Sequence, residues 1–251
     1  MLERVKLARV GAERHRARMN EAIAALVRRH DPDRFLTAIF APPQKRDTLL
    51  TLYAFNHELA RAREVVSEPP LALIRLQWWR EVVEGAQRRH EVAKPLRAAI
   101  DAGALAATDL LGMIDAREAE AEPFDTPEAW LDYLNGSAGG VMVAAGRLLN
   151  APDPEALRPL GVAYGIAGLL RSISVHERQG RSMLPPDRPV DQLAALGLGM
   201  VRPMRLPRRV IAAALPAVLA RRDLKRVPFN PPQRGLGDRL AVVFAAMTGR
   251  I

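Results

Sequence analysis

Cysteine is absent from the 251-residue chain. That excludes disulfides, thiolate nucleophiles and Cys-based zinc or iron–sulfur sites, and it fits a reducing compartment. Aromatics are scarce, at 5% of residues. Ala, Leu and Arg dominate instead, and these cost least in a helix. No uninterrupted apolar run approaches the roughly 20 residues that span a bilayer; the longest candidates are broken by Arg, Pro or Asp. Several motifs are lacking as well. There is no P-loop and no GxGxxG after a strand pattern. His57-Glu58 begins like HExxH but has Arg61 where the second zinc histidine would stand. Five scattered histidines do not make a metal cluster.

Acidic charge is also in short supply, with 28 Asp and Glu against 37 Lys and Arg, a formal net charge of +9. Such a balance points to an anionic partner: nucleic acid, an anionic membrane surface or a phosphorylated ligand. An arginine-rich proteome accounts for it equally well. No recognisable nucleic-acid motif surrounds the basic segments Arg202–Arg209 and Arg221–Arg226. They read as solvated helix faces, so nucleic acid is not the expected partner. The basic N-terminal stretch lacks the apolar core of a secretory signal. It contains Glu3 and Glu13 and runs into an amphipathic helix pattern, so it is read as mature protein.

What is present is helical periodicity along nearly the whole chain. A first helical region ends at Asp31-Pro32, which caps a short second one. A long helix is expected over about 44–66, with Ser67 as the cap of the next, about 70–89. Shorter helices follow at about 94–103 and 107–121. Thr126-Pro127 starts one running to about Asn150, and Asp153-Pro154-Glu155 starts another running to about Gln179. Helical pattern resumes over 191–197, 207–225 (with Pro216 as a kink) and 236–248. Residues 1–251 therefore read as one all-α domain of roughly eight to ten helices.

Two helical segments carry unusual polarity. In 49–64, LLTLYAFNHELARARE, the face Leu49, Leu52, Tyr53, Asn56, Leu59, Ala60 and Arg63 is mostly apolar, yet it ends on Asn56 and Arg63. Glu58–Arg61 and Arg61–Glu64 are ordinary i,i+3 pairs, worth a few tenths of a kcal/mol on a solvated face; a helix lining a polar cavity is the functional alternative. The segment 161–185 turns polar over Arg171, Ser172, Ser174, His176 and Arg178 before Gly180-Arg181 breaks it. Between them, 133–146 has a small face at Gly136, Ala138, Gly139 and Gly140. Glycine costs about 1 kcal/mol per helical residue, so such a face suggests close helix approach or room beside a pocket.

Taken in order over residues 31–190, these segments resemble the squalene/phytoene synthase family. Tyr53-Ala54-Phe55 is similar to the opening of the family's first aspartate-rich helix, and Leu76-Gln77-Trp78-Trp79-Arg80 to the helix after it. Tyr133 through Val141 resembles the family's small-residue segment. Leu170-Arg171 and Gly180-Arg181-Ser182-Met183-Leu184-Pro185 resemble the end of its second aspartate-rich helix. The resemblance implies an isoprenoid-synthase-type helical bundle around a central cavity, with two DxxxD motifs holding Mg²⁺ against diphosphate groups.

At those motif positions this chain has Ala60, Arg61 and Glu64 on one helix, and Ser172 and His176 on the other. Only Glu64 keeps a carboxylate. Ala offers no donor, Ser a weak neutral one, and His a poor match for a hard cation. Arg61, Arg63, Arg171 and Arg181 would turn the cavity mouth basic. The resemblance therefore implies no catalytic residues, no metal ligands and no cofactor. It implies a ligand site for an anionic, phosphorylated or isoprenoid molecule at Tyr53, Asn56, Ala60, Arg61, Glu64, Arg171, Ser172, His176 and Arg181. One branch of the family fits better than the rest. Asn56 through Pro69, NHELARAREVVSEP, is similar to the branch that includes a mitochondrial assembly factor for respiratory complex I. That likeness implies a non-catalytic role in complex I assembly or stability. Its implied partners are complex I subunits or an anionic membrane surface, and its implied location is cytoplasmic and peripheral at the inner membrane. The alternative is an active prenyl transferase joining two isoprenoid diphosphates, which would need Mg²⁺ on Glu64 and on acids such as Glu58 or Glu68.

Overall fold

A computed structural model describes residues 18–66, 68–226 and 234–251. The N-terminal stretch 1–17 and the expected cap Ser67 lie outside the described residues. Residues 18–30 are helical (α1). Twelve α-helices follow between Pro32 and Thr248. The expected all-α class holds: the described residues contain no strand, only an isolated bridge between Arg205 and Arg250.

Local chemistry sets most boundaries. α2 (Pro32–Ala38) starts at Asp31, whose Oδ1 accepts from the Arg34 backbone N–H at 3.0 Å. α3 (Pro43–Glu64) contains the first polar segment. α4 (Pro69–Glu84) stops earlier than the sequence pattern suggests, because Gly85 at φ 128° turns the chain out of the helix. α5 (Ala93–Asp101) and α6 (Ala107–Glu118) follow, then a 3₁₀ turn over Ala119–Ala121. α7 (Pro127–Leu134) begins as expected, with Thr126 Oγ1 accepting from the Ala129 N–H at 3.1 Å.

The two longest expected helices are both broken, which raises the helix count above the expected eight to ten. Residues 126–150 divide into α7, a π turn at Asn135–Gly139 and α8 (Gly140–Leu148). The Ser137 hydroxyl bonds back to the Tyr133 carbonyl at 2.6 Å within that turn. Residues 153–179 open on a 3₁₀ turn and divide into α9 (Arg158–Arg171) and α10 (Ile173–Arg178). The break falls at Ser172, whose hydroxyl lies 2.9 Å from the Gly168 carbonyl and 3.2 Å from that of Leu169.

α11 (Val190–Met200), α12 (Ile211–Leu224, with Pro216 inside it) and α13 (Leu236–Thr248) complete the order. α9 is the central element: it packs on α8, the π turn, α11 and α12. One apolar cluster runs from Ile23 to Leu224, and a smaller one joins α12 to Val242, Ala245 and Ala246 of α13. The glycine-rich face serves close approach. A Cβ at Gly161 would fall 2.5 Å from the Ala138 carbonyl oxygen and 2.8 Å from Gly139 Cα. α9 and the π turn therefore meet backbone to backbone.

Candidate functional site

The second half of α3, the end of α6, the α7–π junction and α10 converge on one polar group. At its centre is Arg117 at the C-terminal end of α6. Its Nη1 donates to Glu120 Oε1 and to the Tyr133 hydroxyl at 3.1 Å. Its Nη2 donates to Asn56 Oδ1 at 3.4 Å. The Tyr133 hydroxyl in turn donates to Glu120 Oε1 at 2.5 Å. Asn56, Glu120 and Tyr133 are all buried, so the charges are taken out of water only because each has a partner. Burial would lower the Arg117 pKa, but Tyr133 and Glu120 raise it further, so the guanidinium stays charged. Burial pushes the Tyr133 hydroxyl well above its ordinary value.

Residues at the expected motif positions lie around this group. Glu64 is exposed as a residue, yet enough of its carboxyl is covered that its pKa rises; Glu120 adds to the rise, and Arg117, Arg181 and Arg61 oppose it. Burial lowers the Arg181 pKa and Arg63 lowers it further, against Glu120, Glu64 and Tyr133. His176 is lowered by burial and by Arg181. Ser172 Oγ sits 3.0 Å from His176 Nε2, so the two residues at the second motif bond to each other. Arg61 Nη1 lies 3.6 Å from Glu58, and Arg63 Nη1 donates to the Val66 carbonyl at 3.0 Å. Asn56, Glu64, His176 and Arg181, with Arg61 and Arg63, therefore share one electrostatic neighbourhood, while Ala60 adds only a half-buried methyl.

Two of the predicted residues belong elsewhere. Arg171 Nη1 donates to Asp33 Oδ2 at 3.3 Å and Asp223 Oδ2 at 3.4 Å, beside Arg234. It is paired with these two acids on a different side of the α9 C-terminus from the mouth it was expected to line. Tyr53 is fully buried, with the Arg34 guanidinium between its ring (5.6 Å) and that of Tyr164 (4.7 Å). Arg117 and Glu120 were not among the predicted residues. Their i,i+3 spacing is that of any surface pair, and only the position of Tyr133 in the small-residue segment pointed inward.

The donors at the motif positions do not fit Mg²⁺, which demands a near-octahedral oxygen shell. Ala60 has no donor, the Ser172 hydroxyl is bonded into its own helix, and Glu120 is held by Arg117 and Tyr133. Among the described residues no group of three or more His, Cys, Asp or Glu converges as a metal site. Two clefts lie outside this ring. One of about 520 Å³ sits between the α4 and α5 ends, lined by Arg88, Arg89 and Arg97 among others. Another, of about 280 Å³, lies over Glu58, Trp78, Trp79 and His90.

Comparison with known proteins agrees with this geometry at the level of family and fold. The family model "Squalene/phytoene synthase" matches residues 27–192. The chain is 26% identical over 171 residues to the human "NADH dehydrogenase (ubiquinone) complex I, assembly factor 6". The match covers 64% of this chain and 51% of that protein, so the chain spans about half the length of the curated relatives it matches. Among solved structures, a dehydrosqualene synthase in complex with ligand superposes with a TM-score of 0.71 at 14% identity, covering 93% of this chain and 97% of that one. Squalene synthase HpnC from Alicyclobacillus acidocaldarius superposes with a TM-score of 0.59 at 18% identity, covering 92% and 94%. At these identities the structural likeness establishes the isoprenoid-synthase fold.

Proposed function

Since the chain belongs to the squalene/phytoene synthase family, we propose that it is a member that has left prenyl transfer and acts in the assembly or stability of respiratory complex I. The observation that carries the reading is the Arg117–Glu120–Tyr133–Asn56 group. A synthase of this fold needs open carboxylates facing a diphosphate; here the interior carboxylate is already held by a guanidinium and a phenol. The relatives named as complex I assembly factors supply the role. Arg61, Arg63 and Arg181 are the cations left near the motif helices. They would hold an anionic or isoprenoid-like ligand through charge-assisted hydrogen bonds without a metal.

The test has two arms. Deleting the gene is expected to lower NADH–quinone oxidoreductase activity in membranes, and the intact gene restores it; unchanged activity overturns the assembly role. Incubating purified protein with farnesyl or geranylgeranyl diphosphate and Mg²⁺ is expected to release no pyrophosphate. Release would overturn the non-catalytic reading and favour a prenyl transferase.

A further inference from the structure

The net charge of this protein resides in its last fifty-one residues. Residues 201–251 hold eleven Lys or Arg against Asp223 and Asp238, a formal +9, which is the net charge of the whole chain. The preceding 200 residues balance to zero, 26 against 26. Both acids of the basic end are consumed inside the fold. Asp223 accepts from Arg234 at 2.6 and 2.7 Å. Asp238 accepts from Arg222 at 2.6 Å and Arg226 at 2.9 Å. Among the described residues Arg221, Lys225, Arg239 and Arg250 take part in no ion pair.

The same end carries an uncovered apolar helix face. On α13, Leu236 is 74% exposed, Leu240 56%, Val243 36%, Phe244 67% and Met247 66%. Their spacing places them within an arc of roughly 100°. The opposite arc, with Val242, Ala245 and Ala246, is buried against α12. Arg239 borders one edge of the exposed stripe by helical spacing. The other edge opens into a cleft of about 390 Å³ between α12 and α13. Phe244 lines it together with Arg221, Lys225, Arg250, Val218 and Ile251.

We infer that this α12–α13 face seats the protein peripherally on an anionic lipid bilayer. Bulky apolar side chains on one arc, flanked on both sides by cations, suit the boundary between acyl chains and phosphates. The arginine and lysine stems lie along the apolar surface while their heads reach the phosphates. The contact is peripheral, because no described helix is long and apolar enough to cross a membrane. A second copy of the chain is a poor occupant, since it would set two strongly basic faces against each other. The inference stands apart from the complex I reading, because its readout contains lipid alone.

The experiment is co-sedimentation of the full chain with vesicles, one set of phosphatidylcholine and one of phosphatidylcholine mixed with phosphatidylglycerol. Binding to the mixed vesicles is expected, weakened by added salt, with little binding to the neutral ones. The double variant Phe244→Asp/Met247→Asp, at two exposed positions, is expected to keep the wild-type melting temperature and to bind at least about tenfold more weakly. Arg221→Glu/Lys225→Glu is expected to lose a similar factor. Absence of vesicle binding, equal binding to neutral vesicles, or undiminished binding by the Phe244/Met247 variant overturns the inference. So does a dimer in analytical ultracentrifugation that the same variant dissociates, which would assign the face to a second copy.

Discussion

Arg117 holds its neighbourhood together by satisfying acceptors rather than by adding apolar contact. Its Nη atoms serve Glu120, Tyr133 and Asn56, while its Nε is buried without a partner. Removing the guanidinium strands the Glu120 carboxylate among buried groups. Arg117→Met is therefore expected to lose about 3–5 kcal/mol in urea unfolding, the range for breaking one partner of a buried pair. Adding Glu120→Gln should restore most of that loss, because an amide still accepts from Tyr133 and carries no charge to strand. A single variant within about 1 kcal/mol of wild type would mean that water reaches Glu120 and that the group is not closed. The sequence showed this pair only as an i,i+3 neighbour, one of many. Burial is a property of what packs on top, and α7 with its π turn arrives from sixteen residues further on. What the family resemblance offered instead was an expectation, that Ala60, Ser172 and His176 stand where carboxylates would be.

At the scale of elements, helix starts were more legible than helix continuity. Thr126 and Asp31 cap where their side chains can reach a free backbone N–H, a purely local event. The breaks at Asn135–Gly139 and Ser172 were not legible, since apolar periodicity continues through both. They are made by Ser137 and Ser172 bonding back to carbonyls of the preceding turn. The small face of 133–146 suggested close approach, and the packing of α9 on the π turn supplies it. Gly161 tests that packing. A Cβ there meets the Ala138 carbonyl oxygen and Gly139 Cα, backbone atoms that cannot swing aside. Alanine normally favours a helix interior by about 1 kcal/mol over glycine. Gly161→Ala is nonetheless expected to destabilise, by about 1–3 kcal/mol of overpacking, read from the urea midpoint. A variant more stable than wild type would show that the helices part without resistance.

The whole molecule is tied at its basic end by four side chains from distant parts of the chain. Asp33 of α2 and Asp223 of α12 are both buried, and Arg234, just before α13, bridges them with contacts of 2.5 to 3.1 Å. Arg171, at the end of α9, reaches both acids only at 3.3 and 3.4 Å. Sequence reasoning placed Arg171 with its neighbour Ser172 at the cavity mouth. Successive helical residues point roughly 100° apart, and the helix also breaks between them, so the two face different surroundings. A pairing between positions 33 and 234 leaves no local signal at all. The geometry ranks the two arginines. Arg234→Met should cost about 3 kcal/mol or more, because two buried carboxylates are left to one loosely held guanidinium. Arg171→Met should cost clearly less, since Arg234 still satisfies both acids. Because Arg234 leads into α13, hydrogen exchange over Leu236–Thr248 should quicken in the first variant and stay near wild type in the second. A larger loss at Arg171 would place the hinge of the network on α9, and would separate the anchoring of α13 from the carboxylates beneath it.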